Sequence, residues 1–349
     1  MKPTPDSQSE SAPRRVRVVD RRSGSRKIRV VHIAAGFGLV VLAFEAYLLV
    51  KWVAGPNFEP VRPGPSPIPT WMKMGVYAIQ PILCAAAVFV LYRLVVRPWR
   101  RGEPISHYGL LAVASLFGSI IDPLSFYFNT WGGYNSYFIN FGSPLPGGIP
   151  GWRSFAEPGA MNAWAIFFLP PLYVLLFPGL AWLGVKVLGV MRSRWPRLPL
   201  PIALIGLLVF FFVFDIVVEG MITVRLGWYA EGGTGFLNSG TYYQLPWHNV
   251  ICMPIIGTML ACFCYFRDDR GRTIVERGLE GGSPTSWKTT ALRFLAIFAA
   301  YHVIMVVGYH LPVAVYYGIY PPHIPDAIGD KSYLMNNVCG PHTIRPCLK

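Results

Sequence analysis

The sequence predicts an all-α, polytopic membrane bundle of about seven transmembrane helices, with the N-terminus cytoplasmic and the C-terminus external. Three observations predict it. Hydrophobic residues make up 53% of the 349 and charged residues only 14%, and the mean hydropathy is +0.41, a balance that suits a membrane protein rather than a soluble domain. Seven apolar runs approach the roughly 20 residues that a helix needs to cross the hydrocarbon core. Basic residues alternate in density from one connection to the next, as the positive-inside rule requires.

Taken in order, residues 1–29 are Ser/Pro/Arg-rich with nine basic residues and no apolar periodicity. They read as a disordered cytoplasmic tail, too long and too charged for a cleavable signal. The spans follow near 30–53, 75–96, 108–128, 163–190, 201–224, 250–266 and 289–310. The third is interrupted by Asp122-Pro123 and the sixth is the shortest, so six spans is the alternative on length alone. Charge decides for seven. With the tail, connections 97–106, 191–199 and 267–288 hold twenty Lys and Arg residues, whereas the alternate connections and the C-terminal tail hold seven. The resulting organisation is a tail at 1–29, a seven-helix domain at 30–317 with long external loops at 129–161 and 225–249, and an external C-terminal tail at 318–349. The net charge of +14 thereby reads as membrane orientation and headgroup attraction, not as nucleic-acid binding. Cys339 and Cys347 flank a Pro-containing stretch of that tail, where a disulfide is compatible with an oxidising compartment.

Common catalytic motifs are absent. There is no phosphate-cradling GxxxxGK[ST], dinucleotide GxGxxG, HExxH or GxSxG. The seven histidines are scattered rather than clustered as a membrane di-iron centre needs, and no metal site is expected. A retinal protein is excluded because the last span has no lysine for a Schiff base.

Acidic residues remain inside the spans: Glu45, Asp122, Asp215 and Glu219. A carboxylate at the bilayer centre costs about 2.5–3.5 kcal/mol on insertion scales, so such residues face a cavity or a partner. Asp215 and Glu219 stand four apart in FDIVVEG, on one helical face, with no basic residue three or four positions away to neutralise them. They are the leading acid/base candidates. Glu45 reads equally as an interhelical structural partner, His302 and His310 as interhelical hydrogen-bonding residues, and Asp122 equally as a hydrogen-bonded helix end before Pro123.

Residues 122–158 place two carboxylates, Asp122 and Glu157, three asparagines and many aromatics in a Gly/Pro-bent loop. A connector needs none of these. Loop 225–249, with Trp228, Tyr229, Asn238, Tyr242, Tyr243, Gln244, Trp247 and His248, falls on the same predicted side. One acid-lined, aromatic cavity opening outward accounts for both loops, and an interfacial aromatic belt accounts for the aromatics alone.

Asp122-Pro123, Tyr134-Asn135-Ser136, Asn140, Pro150-Gly151-Trp152 and Glu157-Pro158, set between membrane spans, resemble the AveC-like spirocyclase family over most of 30–320. The resemblance implies a multi-pass protein of the cell membrane that closes a spiroketal, with associated dehydration, on an apolar dihydroxy-ketone of polyketide type. That reaction implies no redox cofactor and no metal. The chemistry assigns Asp215 and Glu219 as the acid/base pair and Asp122 or Glu157 as a second acid or electrostatic stabiliser. Asn129, Tyr134, Asn135 and His248 would hydrogen-bond substrate oxygens, and Trp131 and Trp152 would wall the pocket. A non-enzymatic binder or proton-coupled transporter of an apolar small molecule or lipid is the alternative, although no inverted repeat supports it. A lipid-modifying enzyme lacks an evident nucleophile or phosphate site.

Overall fold

A computed structural model describes residues 29–154, 157–159, 164–279, 283–335 and 338–339. Most of the basic tail and Cys347 lie outside them; Cys339 is disulfide-bonded. Among the described residues seven helices are long and apolar enough to cross a membrane: α1 (Val30–Val53), α2 (Thr70–Arg100), α3 (His107–Phe126), α4 (Leu169–Arg194), α5 (Leu200–Leu226), α6 (Trp247–Tyr265) and α7 (Trp287–Ile319). The first span matches the predicted limits, and α7 runs nine residues beyond the predicted end at 310 because Tyr309 to Ile319 remains apolar enough to extend it.

Helix starts follow local chemistry. Ser106 caps α3 by accepting from the Gly109 N–H at 3.1 Å. Prolines in the first turns of α4 and α5 preset φ where the missing N–H costs nothing. α3 is the central post, with 78% of its apolar window buried against 11% for α2, and its last turns tighten into a 3₁₀ segment, Ser119–Phe126, around Pro123. Three stretches relax into π-helix: Tyr92–Val96, Ile216–Thr223 and Val306–His310. Their hydropathy does not distinguish them from α-helix, so residue pattern alone does not show them.

Packing is close where side chains are small. A Cβ on Gly38 of α1 would meet the Leu295 carbonyl oxygen of α7 at 2.1 Å, so only glycine permits that approach. Just above, Glu45 of α1 is fully buried and its Oε1 lies 2.7 Å from His302 Nε2 of α7. His302 Nδ1 lies 2.8 Å from the Phe298 carbonyl, so this pair ties α1 to α7.

The end of the bundle predicted to be external carries the irregular structure. Strand β1 (Gly132–Tyr134) pairs antiparallel with β2 (Tyr229–Glu231), Gly132 opposite Glu231 and Tyr134 opposite Tyr229. β3 (Gly235–Leu237) pairs with β4 (Leu245–Pro246). Asn135 fixes the first ribbon: its N–H donates to the Trp228 carbonyl at 2.8 Å and its side-chain amide to Gly227 at 2.8 Å. The two short turns Asp326–Gly329 and Ser332–Met335 close over it, burying Ile328, Tyr333 and Leu334 against Met72 and Ala230.

Candidate active site

Beneath the β1–β2 ribbon lies a cavity of about 250 Å³ bounded by α3, α4, α5, α6 and α7. Its walls are mostly apolar, with Phe126, Phe168, Phe177, Phe211, Ile256 and Met305 among them. Four carboxyl groups line it: Asp122, Asp215, Glu219 and Glu231.

Each is placed by a different element. Asp122 stands in the 3₁₀ end of α3 and accepts from two phenols, Tyr173 O–H of α4 on Oδ1 and Tyr134 O–H of β1 on Oδ2 at 3.3 Å. Asp215 ends the α-helical part of α5, and Glu219 follows in the π-helical turn. Both side chains reach the cavity lining. Glu219 Oε1 also accepts from Tyr229 O–H of β2 at 2.8 Å and from Asn249 Nδ2 of α6 at 2.6 Å. The same Asn249 amide lies 3.2 Å from Glu231 Oε2, so one side chain bridges two carboxyls with its two N–H donors.

The strand pleat explains the last member. Tyr229 and Glu231 alternate with Ala230, so both project from one face of β2, toward the cavity. Gly132 sits opposite Glu231, and a Cβ there would meet the Ala230 carbonyl oxygen at 2.6 Å. The ribbon thus closes tightly over the glutamate.

All of the polar partners are neutral. Among the described residues no lysine or arginine pairs with any of the four carboxyls. Burial pushes the Glu231 carboxyl well above the ordinary carboxylate range, and the adjacent Glu219 pushes it the same way; the Asn249 hydrogen bond only partly opposes them. Burial, followed by the nearby carboxylates, likewise raises the Tyr134 and Tyr229 phenols, which keeps them as O–H donors. The site therefore combines a carboxyl whose pKa burial raises with phenol-bound and amide-bound acceptors in an apolar enclosure.

Asp122, Asp215, Glu219, Tyr134 and Trp131 come together in this lining. The other expected site residues stand elsewhere. Glu157 is exposed and outside the lining. Asn129 donates to the Tyr317 carbonyl at 2.7 Å, joining the loop to α7, and Asn135 holds the ribbon. Trp152 packs edge-on to Tyr127 with ring centroids 5.6 Å apart. His248 backs Trp131 at 4.5 Å between rings, with its Nδ1 2.8 Å from the Tyr317 hydroxyl oxygen. Glu231, Asn249 and Tyr173 were not singled out from sequence. For Glu231 a signal existed in the alternation Tyr229-Ala230-Glu231 between Gly227 and Gly232-Gly233, a short strand between turn residues.

Residues 99–333 match the family described as Spirocyclase AveC-like. The chain belongs to the AveC-like spirocyclase family. Every residue of the cavity lining, from Asp122 to Tyr309, falls inside the matched region, whereas α1 and most of α2 precede it. In this family member the carboxyl cluster is thus built wholly from the shared part of the chain. No curated protein and no solved structure gives a significant match.

Proposed function

We propose that the protein is a membrane-embedded cyclase that closes a spiroketal within an apolar dihydroxy-ketone chain by acid/base catalysis, and that the same groups can support a subsequent dehydration. The observation that carries this reading is the convergence of four carboxyls with only neutral partners in one apolar cavity. Glu231, protonated through burial, is the general acid. Once the first substrate hydroxyl has added to the ketone, its proton passing to the former carbonyl oxygen, Glu231 gives its proton to that hemiketal hydroxyl, the C–O bond breaks, and water leaves an oxocarbenium-like carbon. Asp122, held by Tyr134 and Tyr173, faces that developing positive charge. The second substrate hydroxyl then attacks the carbon, and the Asp215–Glu219 pair accepts its proton. The carbon's oxidation level is unchanged throughout, so the reaction requires no electron carrier.

The apolar walls have two roles. They exclude competing water and they fold a flexible chain into the cyclising conformer, a contribution that can match or exceed proton transfer itself. Positioned acid–base groups contribute about 10²–10⁴-fold. The deciding experiment supplies a dihydroxy-ketone to the protein in lipid nanodiscs and follows loss of one water by mass spectrometry. Asp215→Asn and Glu219→Gln should each slow cyclisation by roughly 100-fold or more; wild-type rate and stereochemistry in both would remove them from the mechanism.

A further inference from the structure

We propose that the substrate enters sideways from the bilayer, through a gap between α4 and the π-helical outer half of α5, and that it is a membrane-dissolved chain whose oxygenated end reaches the carboxyls while its apolar tail stays in the gap. This rests on the cyclase reading of the cavity, but its geometry is independent of the chemistry.

The cavity wall is uneven. On the sides of α3 and α7 the lining residues Asp122, Ser125, Phe126 and Met305 are buried. On the α4–α5 side Tyr173, Phe177, Phe211 and Asp215 are buried as well, but the row of lining residues beside them is not. Leu172 and Leu176 of α4 and Phe214 of α5 are half-buried, and Val218 is 38% exposed while also lining the cavity. Each pair is spaced by four, so each helix presents one edge of an opening. The neighbouring outer surface of α5 is Val217, Met221 and Ile222, all exposed and apolar. That surface suits acyl chains and not water.

Connectivity explains the gap. The two helices are joined by a five-residue link between Arg194 and Leu200, which holds them together at one end. Each packs far more on α6 than on the other, and the contact they do make lies mainly with the α-helical Leu200–Asp215. They therefore diverge toward the cavity. The axial approach is roofed, among the described residues, by β1–β2 and by the turns that bury Ile324, Ile328 and Tyr333 on Ala230. Size points the same way. At about 250 Å³ the cavity falls short of the roughly 300–1,000 Å³ that encloses a drug-sized ligand, so a longer chain must extend out of it.

The test uses a dihydroxy-ketone with a photoreactive diazirine in its apolar tail, bound to the full-length protein in nanodiscs, with labelled peptides identified by mass spectrometry. Labelling is expected on α4 around Leu172 and Leu176 and on α5 around Phe214 and Val218. Labelling confined to the roof, 129–154 or 320–335, overturns the proposal. Leu176→Cys combined with Val218→Cys, bridged by a reducible bifunctional thiol reagent, should cut both labelling and turnover of the long-tailed substrate by roughly 100-fold, as expected when the reacting pose is denied. Reduction should restore them, which separates closure of the gap from misfolding. Undiminished labelling and turnover in the bridged protein also overturns it. A protein that labels in the gap yet returns its substrate unchanged supports the entrance and refutes the cyclase reading, so the two failures are distinguishable.

Discussion

Glu231 and Glu276 are both buried glutamates outside the membrane-spanning helices, at opposite ends of the bundle, and they differ in their neighbours. Glu276 sits in the α6–α7 connection, where Arg293 Nε donates to it at 2.8 Å and the Thr273 N–H and hydroxyl donate at 3.0 and 2.8 Å. His107 Nδ1 lies 3.4 Å away. Arg293 also reaches the Ile105 carbonyl at 3.0 Å, so the cluster fastens two connections to α7. Burial alone would raise the Glu276 carboxyl, yet His107, Arg293 and Thr273 outweigh it and hold the group well below the ordinary carboxylate range. Glu231 has Asn249 and another carboxyl instead, and goes the opposite way. Burial is common to both. The presence or absence of a cation decides whether a buried acid becomes a structural clamp or a proton donor.

The sharpest way to break this contrast is Glu231→Gln. It keeps the side-chain shape and an acceptor for Asn249 but removes the proton, and it should reduce cyclisation by about 10²–10⁴-fold while the thermal unfolding midpoint in detergent does not fall. An unchanged rate would place the acid elsewhere. Glu276→Gln should do the reverse. Turnover per folded molecule stays near wild type, but Arg293 keeps its charge in a site only 16% exposed without its partner, a loss of about 3 kcal/mol in unfolding free energy. Chemical denaturation of the two variants side by side measures it.

The same pair should respond to pH with opposite slopes. Glu276 has a depressed folded pKa, so its stabilisation is fully present above the ordinary glutamate value of about 4.3 and is lost as pH falls below it toward the folded value. Glu231 has a raised folded pKa. Its contribution is present below about 4.3 and is lost as pH climbs toward the folded value, because the unfolded chain ionises first. Relative to wild type, Glu231→Gln should therefore gain stability with rising pH, and Glu276→Gln should lose less on acidification. Turnover that depends on protonated Glu231 should also fall at alkaline pH. Unfolding midpoints across a pH series in one detergent test both signs.

What was legible from sequence follows the same physics. Seven runs of apolar residues announce seven helices because the bilayer leaves no alternative for the backbone. Asp122, Asp215 and Glu219 stood out because a carboxyl among apolar residues has an immediate energetic cost. Glu231 and Glu157 both lie in polar-looking loops, where a carboxyl costs nothing until tertiary structure buries it. Only the pairing of 132–134 with 229–231, nearly a hundred residues apart, carries Glu231 over the cavity and leaves Glu157 outside. No local pattern encodes that difference. Asn249 is harder still, since its role as a bridge depends on three separate elements meeting.

The smallest effects test whether the carboxyl site is one network or two. Tyr134 donates to Asp122 and Tyr229 to Glu219, and their rings meet edge-on across the ribbon with centroids 6.2 Å apart. Tyr134→Phe and Tyr229→Phe each remove one hydroxyl and leave the aromatic packing, so each should lower the rate by roughly tenfold, the value of one hydrogen bond of about 1.4 kcal/mol. If Asp122 stabilises the cation while Asp215 and Glu219 take the proton, Asp122 and the Asp215–Glu219 pair serve successive moments and the free-energy losses should add in the double variant. A double variant no slower than either single one would show that the phenols position one shared group. Rate measurements on the four proteins of this cycle, at a pH where Glu231 remains protonated, distinguish those arrangements.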